Sequence, residues 1–313
     1  MNTKLKRVAT LISFSLAALL SSQTQATVYF YYDAEDVTTG EVLPHHQTSG
    51  VEFCQTACSG AGARGVVHDQ NSFGVPAPQG SKYWAWHIAQ GQIEAYTAAK
   101  NVSTMPATNI IGKTIYLAVW VRHERINGQD IWNTSGQSTN KHLDIRGNGV
   151  RWTIGQGHWD KCDGSYSPGF ENNDPHHFSV YGGNATYHLN PSLEEFGSNR
   201  NGYTCQNMPQ LKYETWNSYV LGITISDATN ANGARRLWLN GQLIAEHTNI
   251  RTNNSPNPTI DRMELLGTIK QPQYNVAEHY TLMDALMLTD NWQDIIDGGY
   301  LEAAVVPKPP SAY

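Results

Sequence analysis

TIYLAVWVRHERINGQDIWNTSGQSTNKHLDIRGNGVRWTIG, residues Thr114 to Gly155, holds the pattern on which the fold turns. From Thr114 to Glu124, Ile115, Leu117, Val119 and Val121 share one parity, while Tyr116, Trp120, Arg122 and Glu124 share the other. This is the period of a β-strand with one buried face. The stretch predicts three strands, carrying Arg122, His123, Lys141, His142, Asp144, Arg146 and Arg151 among alternating apolar residues. Together they are expected to form the floor of a binding groove.

Outward from that stretch the signals remain those of strands. Thr27 to Tyr32 is β-rich, and Lys82 to Tyr96 alternates aromatic and polar residues. Trp216 to Ile225, Ile260 to Gly267 and Tyr280 to Thr289 supply further strands. Arg235 to Glu246 is a hairpin whose Asn240-Gly241 pair is the strongest short turn signal known. One helical turn is expected between Asn291 and Leu301. Gly40 to Gly80 and Gly157 to Asn207 read as long loops, the second rich in His and Tyr. Without strong helical periodicity, the prediction is an all-β jelly roll of two antiparallel sheets packed face to face. It is expected to span residues 27–306 as one domain, followed by a Pro-rich tail over 307–313.

The chain opens with Lys4, Lys6 and Arg7, an apolar run from Val8 to Leu20, and small residues up to Ala26, the layout of a secretory signal peptide. That run is too short to span a bilayer. Its removal, with three basic residues and no acidic one, takes the formal charge from -6 to -9. A nucleic-acid partner is therefore not expected, nor is membrane insertion, and a monomer is. Yet Arg122, Arg125, Lys141, Arg146, Arg151 and Lys161 fall within one 40-residue window. A local basic groove on an acidic exported protein suits an anionic polymer.

Cys54, Cys58, Cys162 and Cys205 are even in number, so disulfides are the default for an exported chain. Three pairings are possible, and Cys54 with Cys58 plus Cys162 with Cys205 is the expected one. The spacing does not suit zinc. The acidic run Asp33-Ala34-Glu35-Asp36 is either a solvated turn or half of a calcium site.

The order of the motifs Trp216-x-Ser218-Tyr219, Leu237-Trp238-Leu239-Asn240-Gly241 and Met283-Asp284 resembles the concanavalin A-like lectin and glucanase superfamily, and within it the jelly-roll polysaccharide lyases. Alginate lyases of this fold carry an Arg-x-Glu-x-Arg strand, to which His142-Leu143-Asp144-Ile145-Arg146 is similar, with His for the first Arg and Asp for Glu. Their later Tyr-Phe-Lys-Ala-Gly signature is missing. Ulvan lyases of the same fold are a second comparison. The resemblance implies β-elimination on a uronic-acid polysaccharide, with ulvan first and alginate or glucuronan next, and no organic cofactor. It also implies a structural calcium joining Glu35 or Asp36 to Asp284.

Elimination beside a uronate needs a group to neutralise the carboxylate, a base, and an acid for the leaving oxygen. Arg122, Arg146 and Arg151 are the candidates for the first task, since a guanidinium fork grips a carboxylate twice. Trp120, Tyr181 and His279 are expected to help bind substrate. Lys161, Lys141, His142 and His123 are the candidate bases, although Lys141 shares the parity of Leu143 and Ile145. Tyr280, between His279 and Asp284, and Tyr181, in His177-Phe178-Ser179-Val180-Tyr181, are the candidates for the acid or for a combined acid and base. Two rivals stand beside this reading. A glycoside hydrolase of the same fold needs two close carboxylates, and its Glu-x-Asp-x-x-Glu motif is absent. A sugar-binding module without catalysis would draw on the nine tryptophans.

Overall fold

A computed structural model describes residues 28–41, 52–53, 65–88, 97–100, 110–126, 139–157, 178–182, 214–260, 262–265, 269–270 and 278–301. The described chain is an all-β jelly-roll sandwich. In chain order the strands are β1 (Val28–Tyr32), β2 (Glu52–Phe53), β3 (Gly65–Asp69), β4 (Lys82–Ile88), β5 (Thr97–Lys100), β6 (Thr114–Arg125), β7 (Thr139–Gly147) and β8 (Val150–Gly157). They continue with β9 (Phe178–Gly182), β10 (Asn217–Thr224), β11 (Gly233–Leu239), β12 (Gln242–Ile250), β13 (Arg262–Leu265), β14 (Ile269–Lys270) and β15 (His279–Thr289). Short helices follow β3 at Gln70–Phe73 and β15 at Trp292–Asp297.

The first sheet runs β12-β11-β10-β6-β15-β4-β3, with β1 also on β15. The second runs β2-β5-β13-β7-β8-β9, with β14 on β7. All pairings among the described strands are antiparallel. The stretch from Thr114 to Gly155 therefore does not form one floor. β6 pairs with β10 and β15 in the first sheet, while β7 and β8 pair with each other in the second. Periodicity shows which face of a strand is apolar; it does not show which strand lies beside it.

Between the sheets, Ile115, Leu117, Val119 and Val121 of β6 meet Trp84, Trp86, Leu221, Met283 and Leu288 from their own sheet and Leu143, Ile145 and Val150 from the other. β6 is buried on its second face as well, which corrects the expectation of one buried face. Ala118 and Trp120 join a separate cluster with Val75, Tyr83, Trp216, Ile295 and Tyr300, laid over the outside of the first sheet. The segment after β3 and the chain after β15 make this cover. Trp292 packs on Trp238 at 4.7 Å between ring centroids and on Tyr116 at 5.1 Å.

The hairpin forms as its residues predict. Asn240 and Gly241 both have positive φ, 48° and 76°, which a two-residue turn of this hand requires. A polar knot ties the two sheets at one end. Asn253, fully buried, donates from Nδ2 to the carbonyls of Ser226 and Ser255, while its Oδ1 accepts from Ser255 N. Asn254 N donates to the carbonyl of Gly149 in the β7–β8 turn. The knot thus joins the end of β10 to the tip of the hairpin that carries the site.

Candidate functional site

On β7, Leu143 and Ile145 are fully buried between the sheets, so Asp144 and Arg146 occupy the alternate positions, on the outer face of the second sheet. The register then sets out cross-strand rows on that face. Arg146 lies opposite Arg151 of β8 and opposite Arg262 of β13, and Arg262 lies opposite Lys100 of β5, which lies opposite Glu52. Four adjacent strands thus place a basic residue at the same level. Like charges directly opposite each other destabilise a sheet unless a counter-charge lies near. The neighbouring row runs Ala98, Glu264, Asp144, Thr153, Tyr181.

A bulge decides where Lys141 belongs. On the β8 side the partners of Lys141 and Leu143 are consecutive, since Lys141 faces Gly155 and Leu143 faces Ile154. His142 is the extra residue, and it shifts the parity of everything before it. Lys141 therefore leaves the level of the buried positions and joins the outer-face row with Gly155 and Ser179. Beyond it, Thr139 lies opposite Gly157 and Lys270. Lys141, Asp144, Arg146, Arg151 and Tyr181 thus share one face of the second sheet. Sequence reading missed Lys100 and Arg262; the alternation in Arg262-Met263-Glu264-Leu265 was the available signal for the latter.

The first sheet holds the remaining described candidates, and it separates them from this face. Arg122 is 5% exposed on the covered outside of the first sheet, ion-paired through Nε with Glu124 Oε1. Burial pushes the Glu124 carboxyl up, against the pull of Arg122. Trp120 is 2% exposed within the same cover, which removes it as a sugar platform. Tyr280 is half-buried there, stacked on His87 at 4.8 Å and edge-on to Phe73 at 5.0 Å. His87 Nε2 pairs with Glu278 Oε1 at 2.5 Å. On the opposite, inter-sheet side of β6 and β15, His123 and His279 are 4% and 1% exposed, their rings 6.3 Å apart. His123 Nδ1 is 2.9 Å from Thr281 Oγ1. The expected single groove containing Arg122, His123, Tyr280 and His279 together with Arg146 is therefore corrected: strand pairing sends them to three different surfaces.

The acidic residues near the N-terminal strand divide similarly. Glu35 accepts from Ser81 N at 2.6 Å, Ser81 Oγ at 2.8 Å and Lys82 N at 2.7 Å. Burial raises its carboxyl, but these donors outweigh that and hold it low. Asp36 is exposed. Asp284 is fully buried, its Oδ2 accepting from Gln79 N at 2.9 Å while Oδ1 has no hydrogen-bond partner. Burial, with the fields of Asp33 and Glu35, pushes its carboxyl well above the usual range. Among the described residues no three His, Cys, Asp or Glu gather as a metal-holding group. Of the expected calcium set, the bare Oδ1 of Asp284 is the atom that suits a cation.

Lys161, Cys54, Cys58, Cys162 and Cys205 lie outside the described residues, as do residues 1–27.

No family model and no curated protein matches the chain. Among solved structures, an alginate lyase from Aplysia kurodai is similar with a TM-score of 0.47 at 8% identity, covering 84% of this chain and 99% of that one. An endo-β-1,4-glucuronan lyase from the fungus Trichoderma reesei gives 0.44 at 11%, covering 86% and 98%. An alginate lyase from a Chlorella virus gives 0.37 at 14%, covering 76% and 88%.

Proposed function

We propose that the outer face of the second sheet binds an anionic, uronic-acid-containing polysaccharide and cleaves it by β-elimination. The observation that carries this reading is the row Lys100, Arg262, Arg146, Arg151, with Lys141 brought to the same face by the bulge. Arg146 and Arg151, with Arg262, neutralise the substrate carboxylate and so stabilise the negative charge that develops when the adjacent carbon loses its proton. Lys141 takes that proton; nearby cations are the means by which a lysine becomes a base near neutral pH. The electrons form the ring double bond, the bond to the leaving oxygen breaks, and Tyr181, one row away, supplies the proton that oxygen needs. His142, next to Lys141 in the chain, and Lys161 are the alternative bases. Ulvan, alginate and glucuronan are the substrates to try.

In the same reading the protein is exported after cleavage near Ala26, carries its four cysteines as disulfides, and works as a monomer. A calcium ion at Asp284 would be structural. Asp284 would supply one carboxylate oxygen to it, as a hard cation takes oxygen ligands, and the ion would leave the chemistry of the opposite sheet untouched.

Incubation with each polyuronate, followed by ultraviolet absorbance of the unsaturated product, tests the reading. Rising absorbance supports it. New reducing ends without absorbance mean a hydrolase, and binding alone means a sugar-binding module. Lys141→Ala and Tyr181→Phe should each lower kcat by roughly 100-fold or more, the scale of a lost general base or acid. Full rates in both variants would remove these residues from the reaction.

A further inference from the structure

The outer face of the first sheet carries an aromatic surface that the reaction above does not use. Tyr116 of β6, Trp238 of β11 and Trp292 of the helix Trp292–Asp297 pack against the covering cluster, yet each stays half-buried. Their rings all meet. Trp238 lies 4.7 Å from Trp292, Tyr116 5.1 Å from Trp292, and Tyr116 6.2 Å from Trp238, between centroids. β10 runs between β6 and β11, and its Gly222 lets two of these rings close over it. A Cβ there would lie 3.0 Å from both Trp238 Cζ3 and Tyr116 Cε1. Single half-exposed apolar residues are ordinary, whereas a contiguous apolar patch with a polar rim marks an interaction site.

The rim is present. Tyr116, Gly222, Arg236 and Glu246 form one cross-strand row, and Thr114 lies opposite Thr224 in the next row of the same face. Arg236 Nε donates to Glu246 Oε1 at 2.6 Å and Nη1 to Thr224 Oγ1 at 3.4 Å, and the two threonine hydroxyls are 2.7 Å apart. The cations of this region are matched within the protein, Arg236 by Glu246 and Lys113 by Asp290 at 2.7 Å. Asp294 and Asp297 of the helix add negative charge. The patch therefore repels a polyanion, in contrast to the basic row of the other sheet.

We propose that this patch binds a neutral polysaccharide. A pyranose ring has an apolar C–H face, which packs on an aromatic ring, and a border of hydroxyls, which needs donors and acceptors. Trp238, Trp292 and Tyr116 supply the first surface, and the Arg236–Glu246 and Thr114–Thr224 pairs supply the second. The patch and the basic row lie on opposite sides of the sandwich, so both can be occupied at once. The inference does not depend on the lyase reading, since a protein that cleaves no polyuronate can still hold a neutral glycan here.

Electrophoresis of the full chain through native gels containing hydroxyethylcellulose, xylan, a soluble β-1,3-glucan or galactomannan tests it. At least one of these should retard the parent, equally at low and high salt, because no ion pair forms with the ligand. Trp238→Ala and Trp292→Ala should each weaken that retention by about tenfold, the order of a lost stacking partner. Both rings also serve packing, so a second measurement uses the parent alone. The retained glycan should slow oxidation of Trp238 and Trp292 by N-bromosuccinimide, mapped by peptide mass. A parent that no neutral glycan retards would overturn the proposal. So would retention abolished by salt, folded alanine variants retained like the parent, or protection that falls on other tryptophans instead.

Discussion

At the scale of single residues, the register of the basic row on the second sheet puts stability and binding to one test. Arg262 faces Arg146 on one side and Lys100 on the other, and like charges so placed cost about 0.2–1 kcal/mol per pair. Arg262→Ala should therefore raise the urea midpoint at low salt and lose that gain at high salt, while polyuronate binding weakens. A midpoint that falls would mean that the row is already neutralised by partners within the protein. Asp284 gives a second prediction, with the sign set by burial. Its folded carboxyl lies above the unfolded range near ~3.9, so the folded state holds the proton more tightly. Stability from this group is whole below the unfolded value and declines as pH rises through the folded one. In chelator, Asp284→Asn should melt higher than the parent at neutral pH, and the gap should close in acid. With calcium the order should reverse at neutral pH; an unchanged order would remove the proposed ion. Of these residues, Arg146 and Asp284 stood out in the sequence because each sits in a recognisable short pattern. Lys100 and Arg262 did not, since each is an ordinary strand charge until its cross-strand neighbours are known.

At the scale of elements, the strands were legible and their partners were not. The alternation in β6, the Asn240-Gly241 turn and the apolar run of β15 each identify a strand from local chemistry. Nothing local says that β6 leaves its sequence neighbours for β10 and β15, because those pairings join residues 96 to 110 and 154 to 173 positions apart. The β7 bulge is a sharper case. Strict parity places Lys141 with Leu143 and Ile145, and a single extra residue reverses that placement. Deleting His142 separates the two candidate bases. The deletion makes β7 regular and keeps Lys141 opposite Gly155, so elimination should persist within about tenfold if Lys141 is the base. A loss of roughly 100-fold or more, the scale of a missing general base, would assign the proton to His142.

At the scale of the whole molecule, β15 is the last strand among the described residues and one of the most connected. It pairs with β6 along one edge; along the other it pairs with β4 from His279 to Met283 and with β1 from Leu286 to Thr289. The change of partner falls at its bulge, where Ala285 takes a φ of 50°. A chain ending before His279 would leave β6 without a partner on one edge, and would leave β1 with no described partner at all. Such a truncation should show no cooperative melting transition, and one that melts like the full chain would mean that the sandwich closes without β15. The order of synthesis gives this arrangement a temporal meaning. β6, β10, β11 and β12 can pair once Ile250 has emerged, but β4, β3 and β1 reach them only through β15, so the first sheet stays incomplete until Thr289 is delivered. Contacts of such long range form slowly, and the apolar faces of β6 and β10 stay open meanwhile, a period in which a chaperone or a translocation channel would meet an unfolded chain.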